Sequence, residues 1–319
     1  MKKFLCVLLA IMTVFTLTAC KSQEEAGTEE KLVIGLSVVD MKNQFWVDWS
    51  DAMKAEAQAQ GVELLVNDGE GSAEKQQAAL ENWLAQGLNA VVIMPVDTTI
   101  QTSADAFKEA GVPVICGATR LENIDGFVGV VQEEYGYNIG QAAAEWMNAN
   151  LADKEVVKLA LLTNSTAANL VTRAEGIKKG LEENAKVKYE IVAEQDAYTT
   201  EAGVSAAETI LQANPDIDGF VGITDSGTLG AYQALASVDT SKMFIVSCDG
   251  DSQALKLIKD GTCYRATVAI NKAGTGKANM QQAISAAKGE TITDIATVTT
   301  PVTIDNVDDW CTQNAITLG

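Results

Sequence analysis

Histidine is absent from the 319 residues. That absence removes the commonest general base, most zinc sites and every histidine-based triad. There are 6 cysteines, none in a CxxC pair, so neither a metal cluster nor a redox dithiol is expected. Basic residues are outnumbered, 23 against 43 acidic, for a net charge of −20. Such a chain repels nucleic acid and offers no basic stripe to phosphates. No glycine-rich phosphate fingerprint stands out, and no nucleophile–base pair. Proline is scarce, with 4 in the chain, and no long Gly/Ser linker interrupts it. Past the first twenty residues no apolar run is long enough to cross a bilayer.

The first twenty residues are different. Met1-Lys2-Lys3 is a short basic start, Phe4 to Leu17 is nearly all apolar, and small residues lead to Cys20. This is the layout of a secretory signal, expected over residues 1–19. Its ending, "LTAC", resembles a bacterial lipobox, which implies lipidation at Cys20 and an extracytoplasmic protein held at the cell membrane. The following "KSQEEAGTEEK" reads as a flexible tether, residues 20–31. Of the other cysteines, Cys116, Cys248, Cys263 and Cys311 are widely spaced and read as buried thiols, with a Cys248–Cys263 pairing left open.

From residue 32 the pattern alternates. Apolar strands are expected at 32–39, 62–66, 88–94, 112–116, 126–131, 156–163, 187–193, 217–223, 243–248 and 263–270, with helical stretches between most of them. The first helix carries Phe45/Trp46, Trp49, Met53 and Ala57 as one stripe and stops at Gly61; others stop at "AQG" and "EAG". Near-continuous apolar strands separated by helices imply parallel sheets covered on both faces. Ten strands are too many for one comfortable sheet, so the fold class is α/β with two doubly wound halves. Sheets of this kind bind ligands beyond the carboxyl ends of their strands.

That rule selects the candidates. Asn43, Phe45 and Trp46 follow the first strand, Arg120 the fourth, and Asn169 and Arg173 the sixth. Gln195, Asp196 and Tyr198 follow the seventh, Thr224 and Asp225 the eighth, Asp249 the ninth and Asn271 the tenth. Carboxylates accept from hydroxyls, arginine forks reach ring and hydroxyl oxygens, and aromatic faces pack on the C–H side of a ring. The set suits reversible capture of a small polar molecule. Asp225 and Asp249 also fit as helix caps, and Trp49 as core.

The order of motifs resembles the type I periplasmic sugar-binding proteins, particularly the ribose-binding group that feeds ABC importers. "NQFW", "PVIC", "TRAEGIKKGL", "PDIDGFVGITDSGTLGA", "IVSCDGD" and "PVTIDNVDDW" carry the resemblance across residues 32 to 311. It implies two lobes joined by a three-segment hinge, 32–131 plus 272–299 and 132–271 plus 300–319. It also implies closure on a sugar or sugar-like molecule, and delivery to ABC permease subunits by a monomer that needs no cofactor or metal and catalyses nothing. The family's ligand positions fall on Asn43, Phe45, Trp46, Arg173, Tyr198, Asp225 and Asp249, with Asn169 and Arg120 as weaker matches.

The departures from the ribose group matter. Val39 stands where that group usually has serine, Ala118-Thr119 where it has Asp-Arg, Ile270 where it has glutamine, and Thr224 where it has asparagine. A buried hydroxyl without a partner costs about 1–3 kcal/mol, so a less hydroxylated, larger or cyclised ligand is expected in place of free ribose. A signalling receptor of the same fold is the alternative role. A sugar-responsive repressor would need a basic headpiece where the lipobox stands, and a secreted hydrolase would need an Asp225–Asp249 carboxylate pair.

Overall fold

The computed structural model describes residues 31–318; the expected signal segment, Cys20 and all but the last residue of the tether lie outside them. All ten anticipated strands are present: β1 (Val33–Val38), β2 (Glu63–Asp68), β3 (Ala90–Ile93), β4 (Val114–Cys116), β5 (Gly126–Gly129), β6 (Val157–Thr163), β7 (Tyr189–Asp196), β8 (Gly219–Gly222), β9 (Phe244–Asp249) and β10 (Tyr264–Ile270). Two more follow, β11 (Ile295–Ala296) and β12 (Thr299–Thr303). They form two six-stranded sheets, ordered β11-β5-β4-β3-β1-β2 and β12-β10-β9-β8-β6-β7. Every pairing is parallel except β10 with β12. The chain therefore crosses between the sheets three times, at 129–132, 270–272 and 296–299.

The helices are α1 (Gln44–Ala59), α2 (Ala73–Gln86), α3 (Gln101–Glu109), α4 (Gln132–Asn150), α5 (Ala168–Asn184), α6 (Thr200–Ala213), α7 (Asp225–Ala234), α8 (Ser252–Lys259), α9 (Lys272–Ala287) and α10 (Val307–Gln313). Alternation along β3 shows how the layers form. Ala90 and Val92 point into a core with Trp49 and Met53 of α1 and Met280 of α9. Val91 and Ile93 point the other way, into a core with Leu80 and Trp83 of α2 and Phe107 of α3. Two covered faces explain why central strands such as "AVVI" read as unbroken apolar runs. The edge strands β2 and β7 carry Glu63, Asn67, Glu190 and Glu194 because their outer sides are open. Both lobes have the same switch point: β1 lies between β2 and β3, and β6 between β7 and β8.

Two features place the second lobe's site. Helices α4 and α5 cross at glycines: a Cβ on Gly140 would lie 2.1 Å from Ile177 O, and one on Gly180 2.2 Å from Tyr137 O. Their backbones touch, so the first turns of both helices reach the cleft together. At β9, Asp249 takes φ 115 and Gly250 φ 73, a left-handed turn that for Asp249 costs about 1–3 kcal/mol. Strain of this kind persists where the surrounding structure over-determines it, and Asp249 is packed against Arg173, Asp225 and Tyr135.

The four cysteines within the described residues are free and buried, so Cys248 and Cys263 do not pair. Among the described residues no helix is long and apolar enough to cross a membrane, and no cluster of acidic or cysteine side chains could hold a metal.

Candidate ligand-binding cleft

A cavity of about 240 Å³ lies where the carboxyl ends of both sheets converge. That is below the ~300–1,000 Å³ usual for drug-sized ligands and suits one small ring. The first lobe contributes an aromatic corner. Asn43 caps α1, its Oδ1 accepting from Phe45 N at 3.0 Å, which fixes the two aromatics that follow. Phe45 stands edge-on to Trp46 (4.8 Å, 89°) and to Trp49 (5.2 Å, 67°). All three line the cavity, so Trp49 is at once core and wall.

The second lobe contributes the charges. Arg173 is 7 % exposed, and its Nε and Nη2 donate to Gln132 Oε1 at 2.9 and 2.8 Å. Its Nη1 donates to Ile223 O at 2.8 Å and to Cys248 Sγ at 3.5 Å. Of the five guanidinium hydrogens, one on Nη2 has no protein partner. The plane of this group sits 4.6 Å above the Tyr135 ring, whose hydroxyl donates to Val268 O at 2.9 Å. Gln132 Nε2 reaches back to Ala118 O of the first lobe at 3.0 Å, so one side chain spans the first crossing.

Asp249 is 3 % exposed and lines the cavity 4.0 Å from Arg173. Asp225 N donates to it at 3.3 Å, while Tyr135 OH at 3.5 Å and Cys248 Sγ at 3.7 Å lie farther off, the tyrosine hydrogen being shared with Val268 O. Burial pushes its pKa well above the carboxylate range; Arg173 opposes this, while Asp251 and Asp225 add to it. An under-satisfied carboxyl group at the cavity wall, ionised or not, keeps an oxygen free to accept from a ligand hydroxyl. Burial pushes the Tyr198 hydroxyl up to about 12, so it stays a donor.

Besides the Gln132–Ala118 contact, three polar links join the lobes over this cavity. Trp46 Nε1 donates to Tyr198 OH at 3.0 Å, and Ser226 Oγ donates to Asn43 Oδ1 at 3.2 Å. Lys272, 7 % exposed at the second crossing, binds Asp48 of α1 at 2.7 Å and Asp251 at 2.6 Å. Burial draws the lysine pKa down, but the two aspartates outweigh it and hold the charge.

The structure thus brings together Asn43, Phe45, Trp46, Asn169, Arg173, Tyr198 and Asp249. Thr224 lines the cavity as well, but five anticipated residues are elsewhere. Gln195 and Asp196 end β7 outside it, Asp196 accepting from Ser165 N at 2.8 Å and Ser165 Oγ at 2.7 Å. Asp225 is fully buried behind the cleft, accepting from Tyr264 OH at 2.7 Å, Thr267 Oγ1 at 3.0 Å, Asp251 N at 2.8 Å and Ser247 Oγ. Thr224, not Asp225, caps α7. Arg120 is about half exposed, pairs with Asp294 at 2.6 Å and lies over Phe127, because Asp294, in the segment leading into β11, draws it outward. Asn271 spends its Oδ1 on Gly274 N at 2.7 Å as the cap of α9 and faces solvent. Gln132 and Tyr135 were not anticipated, although Gln132 follows the strand end β5 closely and the same carboxyl-end rule would select it.

Two lobes of the same topology gripping one small polar cavity are the architecture of a solute-binding protein. Comparison with known proteins agrees. Residues 34–291 match the periplasmic binding protein domain. The ribose import binding protein of Bacillus subtilis is 30% identical over 271 residues, covering 82% of this chain and 85% of the relative. The xylitol-binding protein of Mycolicibacterium smegmatis is 27% identical, covering 92% and 83%. An ABC transporter solute-binding protein of Bacillus halodurans, solved with bound myo-inositol, superposes with a TM-score of 0.81 at 26% identity, covering 89% of this chain and 98% of that one. The chain belongs to the periplasmic binding protein family, and within it to the type I sugar-binding solute receptors of ABC importers. Membership places it outside the cytoplasm.

Proposed function

We propose that this protein captures one sugar or sugar-like ring between its lobes and hands it to the permease of an ABC importer, working as a monomer anchored to the membrane through lipidated Cys20. The observation that carries the reading is the convergence of Phe45 and Trp46 from one lobe with Arg173 and Asp249 from the other on one 240 Å³ cavity. The aromatic corner packs on ring C–H groups while the Asp249–Arg173 pair takes adjacent hydroxyls, the carboxylate accepting and the free Nη2 hydrogen donating. Residues 32–131 with 272–299 act as one lobe and 132–271 with 300–319 as the other, closing about the three crossings. The ribose and xylitol receptors among its relatives support sugars and polyols as the class to screen.

Native mass spectrometry of freshly purified protein, followed by thermal shift with sugars and polyols, tests the reading. A ligand at a hundredfold excess over its Kd adds roughly 2.7 kcal/mol to apparent stability. Trp46→Ala and Asp249→Ala each abolish that shift. Wild-type response from both variants removes this cleft as the site. Cys20→Ala moves the protein from the membrane fraction to the soluble one; unchanged partition removes the anchor.

A further inference from the structure

The two walls of the cleft differ in what they offer a ligand. The second lobe presents unspent polar groups: Asp249, the free hydrogen of Arg173, the Tyr198 hydroxyl and the Asn169 amide, which makes no hydrogen bond among the described residues. The first lobe presents almost none. At the end of β1, Val39 lies beside Asn43, whose Oδ1 is taken by Phe45 N and Ser226 Oγ. Asp40 turns one oxygen to Lys42 N at 2.9 Å. Only the Asn43 amide hydrogens and the other Asp40 oxygen remain on that strand end. The ends of β3, β4 and β5 present Pro95, Val96, Ala118, Gly129 and Val130 to the cavity and no polar side chain at all. The second crossing adds Ile270. Gln132, at the first crossing, is committed to Arg173 and to Ala118 O.

A fully hydroxylated ring enclosed here would leave hydroxyls facing three consecutive strand ends that cannot bind them. We infer that the cleft selects a ring with hydroxyls on one edge and bare C–H or alkyl carbon on the other, a deoxy or O-alkylated sugar or cyclitol in preference to its fully hydroxylated parent. This rests on the sugar-capture function proposed above. Asp249 and Arg173 hold the hydroxylated edge; Val96, Ala118, Val130 and Ile270 enclose the other.

Isothermal titration of ligand-stripped protein with matched pairs tests the inference: L-rhamnose against L-mannose, L-fucose against L-galactose, and methyl β-D-ribofuranoside against D-ribose. In the pair that fits, the less hydroxylated member binds about tenfold tighter, which is about 1.4 kcal/mol. If parents bind as well as or better than their partners in every pair that binds, sugar capture stands and the selectivity inference falls. Silence across all pairs counts against both. Ala118→Asn supplies a second arm. Ala118 sits at φ 57, a left-handed position that asparagine tolerates, so the variant adds an amide to the apolar wall without backbone cost. It shifts the preference back toward the hydroxylated member about tenfold. An unchanged preference removes this wall as its origin.

Discussion

Trp46 Nε1 and Tyr198 OH, 3.0 Å apart, join α1 of the first lobe to the loop after β7 of the second. The bond exists only while the lobes are together, so it contributes to closure as well as to the wall of the cleft. Tyr198→Phe keeps the ring and removes the acceptor. A hydrogen bond of this kind is worth about 1 kcal/mol net, so ligand affinity falls about fivefold, seen as faster dissociation in stopped-flow tryptophan fluorescence. Unaltered dissociation would mean that the pair plays no part in closure.

Lys272 is another tie between the lobes. Lys272→Met leaves Asp48 and Asp251 facing each other, with Asp251 buried and its Oδ2 already lacking a hydrogen-bond partner. Removing one member of a buried pair costs about 3–5 kcal/mol. The urea midpoint drops accordingly, and small-angle scattering shows a larger radius of gyration with ligand present. Adding Asp251→Asn recovers part of the loss. If the single variant is as stable and compact as wild type, the lysine is not a tie.

Asp225 gives stability an unusual pH dependence. Burial, then Asp251, pushes its pKa up to about 7, so the folded protein holds a proton that the unfolded chain releases near pH 4. The stabilisation linked to this group is complete below pH 4 and is lost as pH rises through 7. Asp249 is shifted in the same direction. Unfolding free energy therefore declines from pH 5 to pH 8, and Asp225→Asn flattens that slope. A wild-type profile that rises over this interval would contradict the assignment.

The α4–α5 contact tolerates no side chain. Gly140→Ala places a Cβ 2.1 Å from Ile177 O, a backbone atom that cannot step aside alone. Overpacking costs about 1–3 kcal/mol, against the roughly 1 kcal/mol that alanine gains in helix propensity. Net destabilisation appears in the urea midpoint. Ligand affinity falls too, because Arg173 and Gln132 ride on these two helices. A midpoint at or above wild type would show that the helices part without cost.

The central strands were readable because burial on both faces leaves them largely apolar, as in "AVVI" and the "FIV" that opens β9. β11 was not, since two residues carry no periodicity, and Pro301 marks β12 as an edge where a missing N–H is harmless. The carboxyl-end rule selected Trp46, Arg173, Tyr198 and Asp249, which line one cavity. It could not separate Asp249 from Asp225, because both follow strands directly and only the hydroxyls of Tyr264, Thr267 and Ser247, distant in sequence, reveal which one turns away from the cavity. Lys272 had a faint signal: a cation in the first turn opposes the helix dipole and needs another reason to be there.

The interleaving of the sheets bears on how the protein is made. The first lobe acquires α9 and β11 from residues 272–296, after the whole second sheet except β12 has been synthesised. An emerging chain therefore lacks the cover over Trp49 and Met53 until nearly its full length is out. For a protein that works outside the cytoplasm, that delay keeps the first lobe pliable until synthesis is almost over.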